Sequence, residues 1–214
     1  MATTRLKLYN NALIELGSRR VDDTGEVIEP AIELTAIYDQ VVEECLSMGS
    51  WNFATETIKA EADTGVTPEF GFTEVFAKPS DWLRTVGVSA DEYFSVPLLQ
   101  YYDDVGYWSA DQSPIYVRYV SKDTGMGLEL DRWTPKFSRY VELELAARVC
   151  YRLTQNASLL ERIEKQRDKA RTTALNHDAM NEANPRFAPP GRWTVARGGR
   201  MGRGDRGSRG NLTG

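Results

Sequence analysis

Between residues 4 and 16 the apolar positions Leu6, Tyr9, Leu13 and Leu16 recur at helical spacing, which gathers them on one face of a helix. Thr3 or Thr4 can cap its start, and Gly17 supplies a C-terminal stop. A polar loop from Ser18 to Glu29 follows. Pro30 then suits the first turn of a second helix, whose stripe of Leu34, Ile37, Tyr38, Val41, Cys45 and Met48 ends at Gly49. At Trp51 the pattern changes. From there to Arg132 the chain is dense in Val, Ile, Tyr, Phe and Trp and broken by Gly, Pro and Asp, which predicts strands over 52–60, 71–77, 82–90, 92–100 and 114–121. Pro79, Pro97 and Pro114 belong at strand starts, edges or turns, because proline cannot donate to a central ladder.

Helical spacing returns with Thr134 as N-cap and Pro135 at the first position. Phe137, Tyr140, Val141, Leu145, Val149 and Leu153 then run to about Thr154. Asn156 caps a fourth helix with Leu159, Leu160, Ile163, Ala170 and Ala174 on one side and Arg162, Lys165 and Lys169 on the other. It continues towards Asn184, where Pro185 stops it. The fold class expected is α+β: a four-helix bundle, a β-rich insertion between helices two and three, and an extended C-terminal arm. Residues 1–50 and 133–184 would form the bundle, 51–132 the insertion and 185–214 the Gly/Arg-rich arm.

Charge divides the chain more sharply than length does. The net charge of −5 combines 20 basic and 30 acidic residues in 1–190, a net of −10, with six arginines and one acid from Gly191 onward, a net of +5. An acidic body with a basic tail implies two surfaces with different partners, and an acidic body is a poor general binder of nucleic acid. No apolar run approaches the roughly 20 residues needed to span a bilayer, so no membrane partner is expected. The N-terminus, Met1-Ala2-Thr3-Thr4-Arg5, lacks the apolar core of a signal peptide, which points to synthesis in the cytosol.

Catalytic chemistry has little to draw on. The single histidine, His177, falls on the polar late part of helix four, and Cys45 and Cys150 stand alone, without metal spacing. Acidic pairs occur at Asp22-Asp23, Glu43-Glu44, Asp91-Glu92 and Asp103-Asp104; they read as turns and solvated helix faces rather than as acid–base or cation sites. The expectation is no enzyme, no cofactor and no metal. Gly202-Arg203-Gly204-Asp205-Arg206-Gly207 spells a dinucleotide fingerprint, but no strand precedes it and no helix follows, so the match is chance.

The tail from Gly191 to Gly214 cannot bury a core of its own. Two readings compete for it. It is an arm that folds on binding a protein partner, with Arg192, Trp193, Arg197, Arg200, Arg203, Arg206 and Arg209 as its contact residues, or it is an Arg/Gly-type segment that binds nucleic acid through charge and stacking.

Four local motifs, taken in order, resemble the head-to-tail adaptor family of short-tailed bacteriophages, the tail tubular protein A type. They are Ala12-Leu13-Ile14-Glu15-Leu16-Gly17 closing helix one, Leu46 followed by Trp51-Asn52-Phe53-Ala54, Lys78-Pro79-Ser80-Asp81-Trp82-Leu83-Arg84, and Pro135 leading to Leu145-Ala146-Ala147 before a charged helix. The resemblance covers roughly residues 8–182 and departs from the family at Ser50 and Lys78. It implies a structural virion protein at the head–tail junction: a homo-oligomeric ring of about twelve copies. Its implied partners are the portal protein and a tail or nozzle protein, with genomic DNA passing through the channel without sequence-specific binding. The Arg/Gly tail lies outside what the family pattern covers, and a nucleic-acid-binding packaging or regulatory protein is the alternative.

Overall fold

The structure, a computed structural model, describes residues 3–66, 68 and 71–181. Helix α1 spans Arg5–Glu15, with the Thr4 hydroxyl accepting from the Lys7 amide at 3.3 Å and Gly17 taking the left-handed conformation (φ +68°) that ends it. Helix α2 spans Glu29–Ser47, with Pro30 in its first turn. After a short 3-10 turn at Asn52–Ala54 come strands β1 (Thr55–Ala60), β2 (Glu74–Ala77), β3 (Trp82–Ser89), β4 (Tyr102–Asp103), β5 (Tyr107–Ala110) and β6 (Ile115–Ser121). Helix α3 spans Pro135–Thr154, capped by Thr134, whose hydroxyl accepts from the Phe137 amide at 3.2 Å; Gln155, left-handed at φ +50°, ends it. Asn156 caps α4 (Ala157–Asn181) by accepting from the Leu159 amide at 3.1 Å.

The architecture is α+β, but the four-helix bundle expected from the sequence is not shown. Helices α1 and α2 both pack on α3, whose buried positions run almost all round, from Phe137, Val141 and Leu145 to Glu142 and Glu144. A bundle of four equivalent helices would need a continuous apolar stripe on the fourth. Helix α4 fully buries only Ile163, Ala174 and Asp178; Leu159, Leu160, Ala170 and Leu175 lie half-buried against the core, and charged residues such as Arg162, Lys165 and Lys169 face solvent. The β-rich stretch following α2 is likewise not one block of five strands. It forms two three-stranded antiparallel sheets, in the orders β1-β6-β3 and β2-β5-β4. The strand expected over 92–100 is a loop with a single bridge, Ser89 to Pro97, while β4 and β5 arise where no strand was expected.

Strand β6 connects two cores by the alternation of its side chains. Ile115 and Val117 point into a smaller core between the sheets with Phe76, Val88 and Trp108, whereas Val120 joins the main helical core. The helical core is closed by an aromatic cluster at the junction of α2, β1 and α3. Trp51 and Trp133 each meet the Phe137 ring edge-on, at 4.8 and 4.9 Å, and donate their indole N–H to the Cys45 and Gly127 carbonyls at 3.0 and 2.8 Å. The end of α4 is fastened to the same junction, where the Asn52 amide donates to Asp178 at 3.0 Å and the Asn52 side chain to the Asp178 carbonyl at 2.9 Å. The described residues up to Ala179 group as one compact unit, strands included, and the chain from Met180 is divided off as a second. No helix among the described residues is long and apolar enough to cross a membrane.

Candidate interaction surface

The two sheets are locked together by one buried cation. Lys78 follows β2, and its side chain is 3% exposed. Its ammonium lies 3.6 Å from the centre of the Trp82 ring and 5.5 Å from that of Trp108, pairs with Asp103, and donates to the Asp104 carbonyl at 2.6 Å. Both indoles donate to the same Thr85 hydroxyl, Trp108 at 2.9 Å and Trp82 at 3.1 Å. The Lys78 amide also reaches the Gly106 carbonyl at 2.8 Å. Together these contacts hold the β4–β5 turn, Asp104-Val105-Gly106, against the end of β2. Gly106 sits at φ +91°, a conformation that a side chain would strain.

A turn held this firmly presents its tip. Val105 is 93% exposed, and on the neighbouring loop Leu99 is 85% exposed, with Tyr93 and Val96 also open to solvent. Because Phe76 and Trp108 face inward, their neighbours Val75, Tyr107 and Ser109 face the other way. With Tyr102, Phe72 and Val66 they line a groove of about 550 Å³, with Asp104 on its lining. At the turn itself Tyr102, Val105 and Tyr107 are all exposed, and apolar side chains grouped in solvent in this way mark contact sites. Its setting is acidic: residues 51–132 hold six basic and fourteen acidic residues, a net of −8.

The opposite sign gathers on the last two helices. Residues 133–181 hold nine basic and six acidic residues, a net of +3. Between α3 and α4 runs a groove of about 250 Å³ whose floor is Leu143 and Ala170 and whose rim carries Lys136, Arg139 and Lys169. Arg139 is committed to structure, since it pairs with Glu15 at 2.6 Å and Glu142 at 3.4 Å and so ties α1 to α3. Lys136 and Lys169 are exposed.

A second charged cluster fastens the helices. Glu144, with a side chain 10% exposed, accepts from Arg148 at 2.9 Å and lies 3.5 Å from Arg167 of α4, while Arg148 also pairs with Glu44 of α2. One carboxylate thus holds two guanidinium groups between three helices.

The acidic pairs read from the sequence are dispersed. Asp23 caps its own turn through the Gly25 amide, Glu43 meets Lys122 at 3.6 Å, and Asp103 serves Lys78. Asp91 accepts from the Ser89 hydroxyl at 2.7 Å and from the Ser95 and Val96 amides at 2.9 and 2.8 Å; the Ser89 bond first, then the amides, hold its carboxyl down at about 2. Cys45 and Cys150 are both buried and unbridged. Burial pushes the Cys45 thiol up to about 12, against a smaller opposing effect of its hydrogen bond with Tyr140. His177 is exposed on α4. Among the described residues no three His, Cys, Asp or Glu side chains come together in a way that could hold a metal ion. The arm residues Arg192, Trp193, Arg197, Arg200, Arg203, Arg206 and Arg209 lie outside the described residues. Sequence reading missed Lys78 as a site residue, although it stood out as a polar residue at a position where the motif carries a small apolar one, and it missed Val105 altogether. No protein-family model matches the chain, and no curated protein matches it.

Proposed function

We propose that this chain is a structural virion protein, a ring-forming adaptor that joins the portal to the tail at the head–tail junction of a short-tailed bacteriophage. The observation that carries the reading is the exposed apolar surface around the β4–β5 turn, held rigid by Lys78 and set in an acidic module. A protein built to be covered by other proteins needs such a surface, and the ordered adaptor-like motifs give it a place. Trp51 and Phe53 of the second motif close the helical core, and Lys78, Asp81 and Trp82 of the third brace the sheets. These side chains pack and hydrogen-bond within the described residues, which suits a scaffold. The net charge of −10 over residues 1–190 suits a channel through which DNA slides, because a basic wall would hold the phosphate backbone.

The arm from Arg192 to Gly214 docks on the portal in this reading, with Trp193 as apolar anchor and the arginines paired with acidic groups. Deletion after Pro190 tests it. The truncated chain should fail to bind isolated portal rings, and binding of the full chain should weaken as salt rises. Equal binding by both chains would overturn the docking role. Tight DNA binding by the arm peptide alone, with loss of packaged genome from particles carrying the truncated chain, would install the nucleic-acid reading instead.

A further inference from the structure

We infer that copies of this chain contact one another head to tail, the Asp104-Val105-Gly106 turn of one copy seating in the α3–α4 groove of the next. The inference rests on the ring-forming reading above and names the surfaces that make the ring. The turn offers an isopropyl group almost wholly in solvent, beside a carboxylate whose only hydrogen bond among the described residues is to the amide of Val105, at 2.7 Å. The groove offers the converse: an apolar floor of Leu143 and Ala170, room for an aliphatic side chain, and a rim with the exposed ammonium groups of Lys136 and Lys169. Charge complementarity extends beyond the contact, since the turn belongs to a stretch of net −8 and the groove to one of net +3. Turn and groove are different surfaces of one chain, so each copy carries one of each. A contact of this type is heterologous and propagates in one direction until it closes, as a ring requires and as a two-fold dimer does not. The turn arrives preorganised, because Lys78 fixes both Asp103 and the Asp104 carbonyl, so little conformational freedom is lost on docking.

The test uses the full chain carrying V105C and T173C, oxidised at high concentration and, in parallel, bound to isolated portal rings. Thr173 lines the groove on the exposed side of α4. The expected result is a ladder of covalent oligomers from the double variant and none from T173C alone. Covalent dimers from V105C alone in the same yield as the double variant would mean a tip-to-tip, two-fold contact and would overturn the proposal. Charge exchange provides an independent arm. D104K and K169E should each reduce self-association at least tenfold, and the chain carrying both should regain most of it, with unchanged circular dichroism throughout. No ladder from a chain that sedimentation shows to be oligomeric would overturn this contact and leave the ring reading standing. No ladder and no oligomer, in solution or on the portal, would overturn both. A ladder from a chain that does not bind the portal would sustain the contact and remove the adaptor role.

Discussion

A methyl group added at Gly127 would lie 2.1 Å from the carbonyl oxygen of Ser121, a backbone atom that cannot rotate away. Gly127 also presents its own carbonyl to the Trp133 indole, so the chain there cannot back off without breaking a buried hydrogen bond. G127A should therefore cost about 2–3 kcal/mol in urea unfolding; a loss under about 0.5 kcal/mol would contradict that packing. Asp91 acts at the same scale. Its carboxyl is held at about 2 against about 3.9 in an unfolded chain, so the order it lends is present above pH 4 and lost as pH falls towards 2. The Ser95 and Val96 amides should accordingly lose protection, relative to the intrinsic exchange rate at each pH, across that window, and D91N should show the lost protection already at neutral pH. Protection that ignores both pH and the substitution would refute the role. Cys45 runs the other way. A thiol raised to about 12 stays protonated up to that pH, and its contribution to stability is complete below about 8.5 and lost as pH rises towards 12. Iodoacetamide at pH 8 should leave Cys45 unmodified in the folded chain and label it after denaturation.

At the scale of elements, Lys78 and Glu144 carry the joints. K78M keeps the aliphatic stem between the two indoles but removes the ion, and should cost about 1–3 kcal/mol with a change in Trp fluorescence. E144A leaves Arg148 and Arg167 facing each other and should cost a similar amount, with α4 showing the first loss of amide protection. These joints explain how far the sequence could be read. Helix ends were legible because a cap is local: Thr4, Thr134 and Asn156 each meet an amide three residues on. The bundle was not, because whether α4 packs as an equal partner depends on how much of its surface the other helices can cover, and only two apolar residues are fully buried. Strand 92–100 was expected from Tyr93, Val96 and Leu99, but those side chains face solvent and the Asp91 carboxylate folds the backbone into a loop. Strands β4 and β5 were illegible for the opposite reason. They are short, one is only Tyr102-Asp103, and a buried lysine 25 residues upstream of that aspartate holds them.

For the whole molecule, the described core closes on residues before Met180, so deletion after Pro190 should leave helical circular dichroism and melting temperature unchanged while portal binding is lost. A fall in melting temperature of several degrees would assign the arm a part in the fold. A ring at the head–tail junction would be visible directly in a reconstruction of the intact particle there. The density expected is that of about twelve copies of this chain beneath the portal, related by rotation alone, with each β4–β5 turn against the α3–α4 groove of its neighbour. Density for the chain elsewhere in the particle, or as two-fold pairs, would contradict it.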